Sequence, residues 1–304
     1  MKYLVTGGTG FIGRAIVLAL LQKGHNVVVL DNNFRGDVRQ LDPSPQLQFI
    51  FGDIRDANAV VNAAEGVDSI IHLAFINGTN NFYQKPDLVV DVGIRGMLNI
   101  AEATKRHKVP ELILMSSSET YQYPMLIPTP EDIPLVIPDI LNPRFSYGGA
   151  KIASELILVN YCSPFLDKWK IIRPHNVYGP KMGDGHVIPN LITKILSNSE
   201  QISIQGDGTQ TRAFCHISDF TNAFSLVLES NVPSGIYNIG IDHEITILEL
   251  VKKLMSLMNK NLTIEFLERN PGETPRRCPD ITKIRNLGFQ PKMDLETGLK
   301  TCLS

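Results

Sequence analysis

Short apolar runs recur along the first half of the chain, and longer stretches with helical spacing of apolar residues separate them. This alternation predicts an α/β fold with a parallel, doubly wound sheet, because parallel strands need crossover connections. We predict strands at residues 3–6, 26–30, 47–51, 69–73, 111–116 and 169–173.

Polar or glycine-rich segments follow several of these runs. Doubly wound sheets bind ligands outside the carboxyl ends of their strands. These strand ends therefore predict one ligand-binding edge, formed by residues 7–13, 31–32, 52–54, 73–75 and 116–119.

The regular pattern breaks in two places. Six prolines between residues 121 and 145 argue against a helix or a central strand there, and so long a loop is more often a functional covering segment than a linker. After Pro174 the periodicity loosens, and a helix is predicted at 247–258. We therefore predict a first domain over 1–175, with a returning segment near 213–240, and a smaller C-terminal substrate-binding lobe over 176–304.

The first predicted strand runs directly into the turn Gly8-x-Gly10-x-x-Gly13, which opens a helix. A Rossmann-type fold uses this order to aim backbone amides and the helix dipole at a pyrophosphate, and the missing Cβ atoms allow the close approach. Asp31 ends the next strand, where a carboxylate accepts the ribose hydroxyls of NAD and repels a 2′-phosphate. NAD is the favoured cofactor, although Arg35 keeps NADP open. The competing interpretation is a glycine turn in an ordinary α/β protein.

Composition narrows the function classes. The 304 residues are 43% hydrophobic, and 29 basic and 31 acidic side chains give a formal net charge of −2. Such a chain has no general attraction to nucleic acid or to an anionic membrane, so we predict neither as a partner. No apolar run approaches the ~20 residues of a membrane span and no signal peptide is evident, which predicts a cytoplasmic protein. The four cysteines lack metal-site spacing, which predicts buried thiols and no metal.

Tyr147 and Lys151 are four residues apart in a predicted helix, so their side chains share one face. A phenol is a poor base at neutral pH, but a nearby ammonium and an oxidised nicotinamide favour the phenolate. Tyr147 can then take a proton from a substrate hydroxyl while hydride leaves the same carbon for NAD. Ser117 or Ser118 at a strand end can orient that hydroxyl. Tyrosine and lysine at this spacing are common by chance, but the glycine turn and serine strand end favour catalysis.

Together these motifs resemble the extended short-chain dehydrogenases/reductases of the nucleotide-sugar epimerase/dehydratase family, over essentially the whole chain. The resemblance is specific for the family and much less specific for the reaction. The matching segments are residues 7–13, 31–32, 52–56, 72–74, 116–119, 147 with 151, 173–180, 206–212, 237–240 and 276–280.

The resemblance also implies binding residues. For the cofactor they are Gly7, Gly10, Phe11, Ile12, Gly13, Asp31, Asn32, Asp53, Ile54, Leu73, Ala74, Tyr147 and Lys151, with Asn99 a weaker candidate. For the diphosphate of a nucleotide sugar they are Asn176, Arg212, Arg277 and Arg276. Arginine suits that role because its guanidinium offers bidentate donors.

When the serine strand end is aligned with the family by the aromatic residue that follows it, Ser117 stands at the family's catalytic Ser/Thr. Ser118 lies beside it. Glu119 then stands where dehydratases and decarboxylases often carry a carboxylate, which can move a second proton, whereas a simple 4-epimerase does not require it. The alternative is a Glu119 that only hydrogen-bonds nearby loop backbone. The chain departs from the family at Thr120-Tyr121-Gln122, where Val-Tyr-Gly is common, and at Gly93, where an asparagine is expected.

The leading interpretation is an NAD-dependent nucleotide-sugar 4-epimerase. Tyr147 and NAD oxidise C4, the keto sugar rotates, and hydride returns to the other face. A 4,6-dehydratase, a UDP-glucuronate-type decarboxylase and a 4-dehydrogenase share the first step and remain alternatives, with Glu119 as second acid or base. A non-catalytic NAD-sensing protein is a remote alternative, because it has no use for Tyr147, Lys151 and Ser117. The sequence does not distinguish UDP, GDP and dTDP sugars.

Two predicted helices suggest a homodimer. Those near residues 92–105 and 147–161 carry apolar residues, and similar proteins pair these helices across a two-fold axis. Burial against the chain's own sheet would explain the same residues. They are Leu98, Ile100, Ile152, Leu156 and Val159.

Overall fold

The computed structural model describes residues 1–183, 185–198, 200–230, 232–269, 272 and 274–303. The chain forms two compact units. The first comprises Met1–Tyr121, Leu135–Arg173 and Ser230–Tyr237, and the second comprises Gln122–Pro134, Pro174–Glu229 and Asn238–Ser304.

These bounds differ from the predicted domains in two respects. The main boundary follows residue 173, close to the expected 175, but the returning segment is only 230–237, and residues 213–229 lie in the second unit. Segment 122–134 also belongs to the second unit, which the sequence pattern did not indicate. Thr129 is the reason, because its N–H donates to the Cys278 carbonyl at 2.8 Å and its carbonyl accepts from the N–H of Asp280 at 2.8 Å.

The strands are short and largely buried in the first unit. Their bounds are β1 Lys2–Thr6, β2 Asn26–Asp31, β3 Leu47–Phe51, β4 Ser69–His72, β5 Glu111–Met115, β6 Lys168–Pro174, β7 Val177–Tyr178, β8 Gln201–Gln205, β9 Thr211–Arg212, β10 Cys215–His216, β11 Gly235–Ile239, β12 Ile245–Thr246, β13 Thr263–Leu267 and β14 Arg276–Arg277. Each of the six predicted strands is present, with bounds within one residue of those expected.

Helices connect the strands. Their bounds are α1 Phe11–Gln22, α2 Ala57–Ala63, α3 Thr79–Gln84, α4 Pro86–His107, α5 Ser146–Leu156, α6 Val187–Ser197, α7 Ile217–Glu229, α8 Ile247–Leu257, α9 Thr282–Arg285 and α10 Leu295–Leu303. A π-helical segment, Ile157–Cys162, continues α5. No helix among the described residues has the length and apolar character that a bilayer span requires.

The central sheet has the strand order β3-β2-β1-β4-β5-β6-β11. The paired strands from β1 to β6 all run parallel, which confirms the predicted Rossmann-type, doubly wound fold. The order reverses between β1 and β4, and such sheets bind ligands at that switch point, outside the carboxyl ends of the strands.

Apolar packing fixes these elements. In the first unit Leu4, Ile70 and Leu112 from neighbouring strands join Val89 and Ile100 of α4 in one buried cluster. Asp56 begins α2, because its carboxylate accepts hydrogen bonds from the first-turn amides of the helix.

The second unit has its own core and its own local helix signals. Leu250 and Leu254 of α8 pack with Ile202 and Ile204 of β8 in a buried cluster. A capping box between Thr246 and Glu249 begins α8, where each side chain bonds the other residue's backbone N–H.

Candidate active site

The glycine turn joins β1 to α1 by contacts that only glycine permits. Gly7 has a left-handed backbone with φ +73°, and a Cβ there would lie 2.7 Å from the backbone nitrogen of Ala74. A Cβ on Gly13 would lie 2.1 Å from the carbonyl oxygen of Gly7. Any side chain at either position would therefore force the turn open.

The turn also leaves polar groups for an anion. Helix α1 begins at Phe11 after Gly10, no side chain caps it, and its first turn, which includes Ile12, carries no acidic residue. The hydroxyl of Thr9 is buried without a hydrogen-bond partner among the described residues. Uncapped first-turn amides and a positive helix end suit a pyrophosphate, so this cradle fits a dinucleotide.

Asp31 lies at the end of β2 beside the turn. One carboxylate oxygen accepts from the N–H of Thr9 at 3.0 Å and the other from the N–H of Asn33 at 2.8 Å. The carboxylate is thus held at the strand end predicted for the ribose hydroxyls. Asn32, the next residue, donates from its side-chain amide to Asp53 at 3.1 Å.

The segment predicted to hold the adenine is fixed by neighbouring side chains. Arg55 donates to both oxygens of Asp53, at 3.0 and 2.9 Å, and these hydrogen bonds lower the pKa of Asp53. The amide of Asn99 donates to the carbonyl of Ile54 at 2.8 Å, and Gly96 leaves room for the Ile54 side chain. Asn99 therefore holds the backbone of the segment that was predicted to bind the adenine.

The end of β4 is locked to the end of β1. The hydroxyl of Thr6 is 2.7 Å from Nδ1 of His72 and accepts from the N–H of Ala74 at 3.3 Å. Burial, with a smaller effect from Lys151, lowers the pKa of His72 to about 3, so the ring is neutral. This bond fixes Leu73 and Ala74, which were predicted to line the cofactor groove.

Tyr147 lies between two phenylalanine rings. Phe82 stacks on it with centroids 4.9 Å apart, and Phe75 meets it edge-on at 5.1 Å. Burial raises the pKa of Tyr147 and the charge of Glu119 raises it further, whereas a hydrogen bond from Ser117 and the charge of Arg35 lower it.

Close packing of the Phe75 ring explains why position 93 is a glycine. A Cβ there would lie 2.4 Å from the Phe75 ring and 3.0 Å from the Cβ of Ala150. The expected asparagine would therefore displace the ring that contacts Tyr147.

Lys151 is fully buried next to the same ring. Its ammonium donates to the Met115 carbonyl at 2.6 Å and lies 3.9 Å from the Phe75 centroid. Burial lowers the pKa of Lys151 to about 7, and the Glu155 carboxylate opposes that shift. The carbonyl, the ring face and the carboxylate all favour the ammonium form that a phenolate at Tyr147 needs.

The serine strand end carries an ion pair. The Ser117 hydroxyl accepts from the N–H of Glu119 at 3.1 Å, and Ser118 is buried beside it. Arg144 donates from Nη2 to both oxygens of Glu119, at 3.2 and 3.1 Å, and its guanidinium lies 5.4 Å from the Phe82 centroid. The Glu119 carboxylate is thus bound by a side chain that sequence reasoning did not single out.

A buried network supports α5 from the sheet. Arg173 donates from Nε and Nη2 to Glu155, at 3.0 and 2.6 Å, and from Nη1 to the Tyr121 hydroxyl at 2.7 Å. The Ser116 hydroxyl also donates to Glu155. Since Glu155 follows Lys151 by one helical turn, the network fixes the helix that carries Tyr147 and Lys151.

In the second unit two predicted arginines lie in register. Strand β14 pairs with β9, with Arg277 opposite Arg212. Arg277 is buried, whereas Arg276 is exposed and makes a 2.6 Å ion pair with Glu244. Asn176 donates to the Ala213 carbonyl at 3.3 Å. The structure therefore places Arg212 and Arg277 opposite each other on adjacent strands, whereas Arg276 forms an ion pair with Glu244.

The residues that sequence reasoning missed are Phe82 and Arg144. Phe75 lies in the predicted ligand-binding edge at 73–75, but its contact with the Tyr147 ring was not predicted. Phe82 and Arg144 lie outside every predicted element, and only the fold brings them to Tyr147 and Glu119. Among the described residues, no group of three or more His, Cys, Asp or Glu side chains is placed to hold a metal ion.

Comparison with known proteins identifies the family. The model of the NAD-dependent epimerase/dehydratase family matches residues 3–240. UDP-glucuronic acid decarboxylase 3 of Arabidopsis thaliana is 33% identical over 98% of this chain and 87% of its own length. A putative UDP-glucose 4-epimerase of Methanocaldococcus jannaschii is 31% identical over 98% of this chain and 95% of its own length.

Similarity to a solved structure supports the same family. The crystal structure of UDP-glucuronic acid 4-epimerase from Bacillus cereus, in complex with UDP-glucuronic acid and NAD, superposes with a TM-score of 0.90. Its sequence is 30% identical, and the match covers 99% of this chain and 97% of that one. The predicted cofactor, NAD, is the one on which this family depends. The family resemblance is confirmed, and the chain belongs to the NAD-dependent epimerase/dehydratase family.

Proposed function

We propose that this protein is an enzyme that oxidises UDP-glucuronic acid at C4 and then releases its C6 carboxylate as carbon dioxide. The observation that carries this proposal is the Glu119 carboxylate, which Arg144 holds in the same unit as Tyr147 and which acts electrostatically on Tyr147. A simple 4-epimerase has no need of that carboxylate. The decarboxylase relative and the solved UDP-glucuronic acid 4-epimerase support the choice of substrate.

The first step uses Tyr147, Lys151 and Ser117. The C4 hydroxyl gives its proton to Oη of Tyr147, whose phenolate form the Lys151 ammonium stabilises. Ser117 orients the hydroxyl and then the carbonyl that replaces it. The glycine turn and Asp31 would hold NAD, which would supply reversible hydride acceptance at C4.

The second step follows from the new carbonyl. A carboxylate at C6 is β to a C4 ketone, so the C5–C6 bond can break with its electron pair moving toward the carbonyl oxygen. Carbon dioxide leaves, and C5 then takes up a proton. We assign to Glu119 the relay of that proton, which it takes from solvent water and passes to C5. Nη1 of Arg144, buried without a hydrogen-bond partner among the described residues, is a donor for the substrate carboxylate.

The nucleotide is held by the second unit in this proposal. Arg212 and Arg277, in register on adjacent strands, are the guanidinium groups we assign to the diphosphate, with Asn176 as a supporting donor. Arg276 contributes less to diphosphate binding, because its guanidinium is hydrogen-bonded to Glu244.

A 4-epimerase is the second candidate. It needs the same C4 oxidation, and the structural match to a UDP-glucuronic acid 4-epimerase favours it. It differs only in the fate of the keto sugar, which rotates and is reduced on its other face without loss of carbon.

Substitution of Glu119 by glutamine separates these candidates. With UDP-glucuronic acid and NAD, we expect Glu119→Gln to form the decarboxylated product about 10²–10⁴-fold more slowly, because the second proton transfer is lost. C4 oxidation and loss of carbon dioxide should continue, so reduced nicotinamide should accumulate with the unprotonated, decarboxylated intermediate. Chromatography coupled to mass spectrometry and the near-ultraviolet absorbance of reduced nicotinamide measure both.

Glu65→Gln makes the same chemical change in an exposed turn after α2 and should behave as the wild type. Formation of the finished, decarboxylated product by Glu119→Gln at the wild-type rate would make Glu119 a structural residue. A wild-type product of unchanged mass would establish epimerisation instead, and loss of water would indicate a dehydratase.

We also propose a homodimer formed through α4 and α5. Leu98 of α4 is 44% exposed and Leu156 of α5 is 59% exposed, whereas Ile100 is buried within the first unit. Exposed apolar side chains on two adjacent helices suit a two-fold interface. Sedimentation velocity at micromolar concentration should give a dimer that Leu98→Glu with Leu156→Glu converts to a monomer, and a monomeric wild type would contradict the proposal.

A further inference from the structure

Gln122 combines two unfavourable features. It has a φ of +48°, in the left-handed region that favours glycine. Its side chain is buried, with the residue only 1% exposed, and neither Oε1 nor Nε2 has a hydrogen-bond partner among the described residues. An amide that is desolvated and unpaired destabilises a fold, and such costs concentrate where a residue serves function.

The backbone of Gln122 is tied to a predicted substrate arginine. The Thr274 hydroxyl donates to the Gln122 carbonyl at 3.0 Å and accepts from Nη2 of Arg277 at 3.0 Å. All three residues belong to the second unit. Thr274 therefore fixes the loop at Gln122 and the guanidinium of Arg277 relative to each other.

The chemistry of the amide narrows what it can bind. Its nitrogen offers two donors and its oxygen accepts. Diphosphate oxygens only accept, so they would leave Oε1 facing negative charge. Sugar hydroxyls both donate and accept, and they can satisfy the two amide atoms together.

We propose that the side-chain amide of Gln122 binds the hydroxyl groups of the substrate's sugar and is a specificity determinant of this protein. The proposal rests on the proposed function, because it takes a nucleotide sugar as the ligand. It explains why a glutamine occupies a position whose backbone favours glycine.

Gln122→Met tests the assignment, because methionine has a similar length and no amide. Isothermal titration of the NAD-loaded protein compares UDP-glucuronic acid with UDP, which lacks the sugar. We expect Gln122→Met to raise the Kd for UDP-glucuronic acid about tenfold, the loss of a typical hydrogen bond, and to leave the Kd for UDP unchanged. The denaturation midpoint should stay equal or rise, since no unpaired amide remains.

Two further variants keep the test decisive. Gln122→Gly suits the backbone conformation and removes the amide, so it should show the same binding loss if the methionine variant folds poorly. Gln290→Met, at an exposed position of the same unit, should bind both ligands as the wild type does.

Each other result overturns the assignment. Unchanged Kd values for both ligands would make Gln122 a merely buried residue, and equal weakening for both would place its contact on the nucleotide. A wild-type protein that binds neither ligand would overturn the proposed function itself, and this assignment with it.

Discussion

Tyr147→Phe is expected to lower kcat on UDP-glucuronic acid by about 10²–10⁴-fold, because it removes the group that takes the C4 hydroxyl proton. The ring should keep its packing against Phe75 and Phe82, at 5.1 and 4.9 Å, so folding should be nearly unchanged. Thermal denaturation and NAD titration check that the variant is intact, and steady-state kinetics measure the loss.

A matched control makes the same chemical change elsewhere. Tyr161 lies in the π-helical segment that continues α5, is 41% exposed, and donates to Glu102 at the surface. Tyr161→Phe should retain wild-type turnover. Turnover by Tyr147→Phe within a few-fold of the wild type would contradict every mechanism that begins with C4 oxidation at this tyrosine.

Glu155→Gln is expected to destabilise the protein by about 3–5 kcal/mol, because it leaves the buried Arg173 guanidinium without its carboxylate. Both side chains are almost fully buried, at 2% and 6% exposure, so water cannot replace the lost partner. For a protein of this size the denaturation midpoint should fall by on the order of 10 °C. Calorimetry or circular dichroism measures the shift.

The exposed pair between Glu296 and Lys300 provides the control. Its side chains are 50% and 59% exposed, and surface pairs contribute about 0–1 kcal/mol. Glu296→Gln should therefore shift the midpoint little. Equal shifts for the two variants would show that the buried network does not hold α5 in place.

The sequence allowed the cofactor half of the site to be predicted because its signals are local. The glycine turn and the acid that ends β2 lie within one strand-helix-strand unit, where apolar runs and glycine spacing fix the backbone directly. The pairing of Tyr147 with Lys151 is also local, since helical geometry alone places them on one face.

Tertiary pairs could not be predicted in the same way. Glu119 and Arg144 are separated by the proline-rich segment, and no periodicity indicates where that segment returns. The packing of Phe75 into the space left by Gly93 likewise depends on how α4 lies against the end of β4. The share of segment 122–134 in the second unit depends on the hydrogen bonds of Thr129, which the sequence pattern does not reveal.

We propose that UDP-glucuronic acid is oxidised at C4 and then loses its carboxyl carbon. The most direct measurement incubates the wild-type protein and NAD with UDP-glucuronic acid carrying a carbon-13 label at C6, and follows the label by mass spectrometry. We predict labelled carbon dioxide and an unlabelled product that is lighter by one carboxyl group. A product of unchanged mass that retains the label at C6 would contradict the claim.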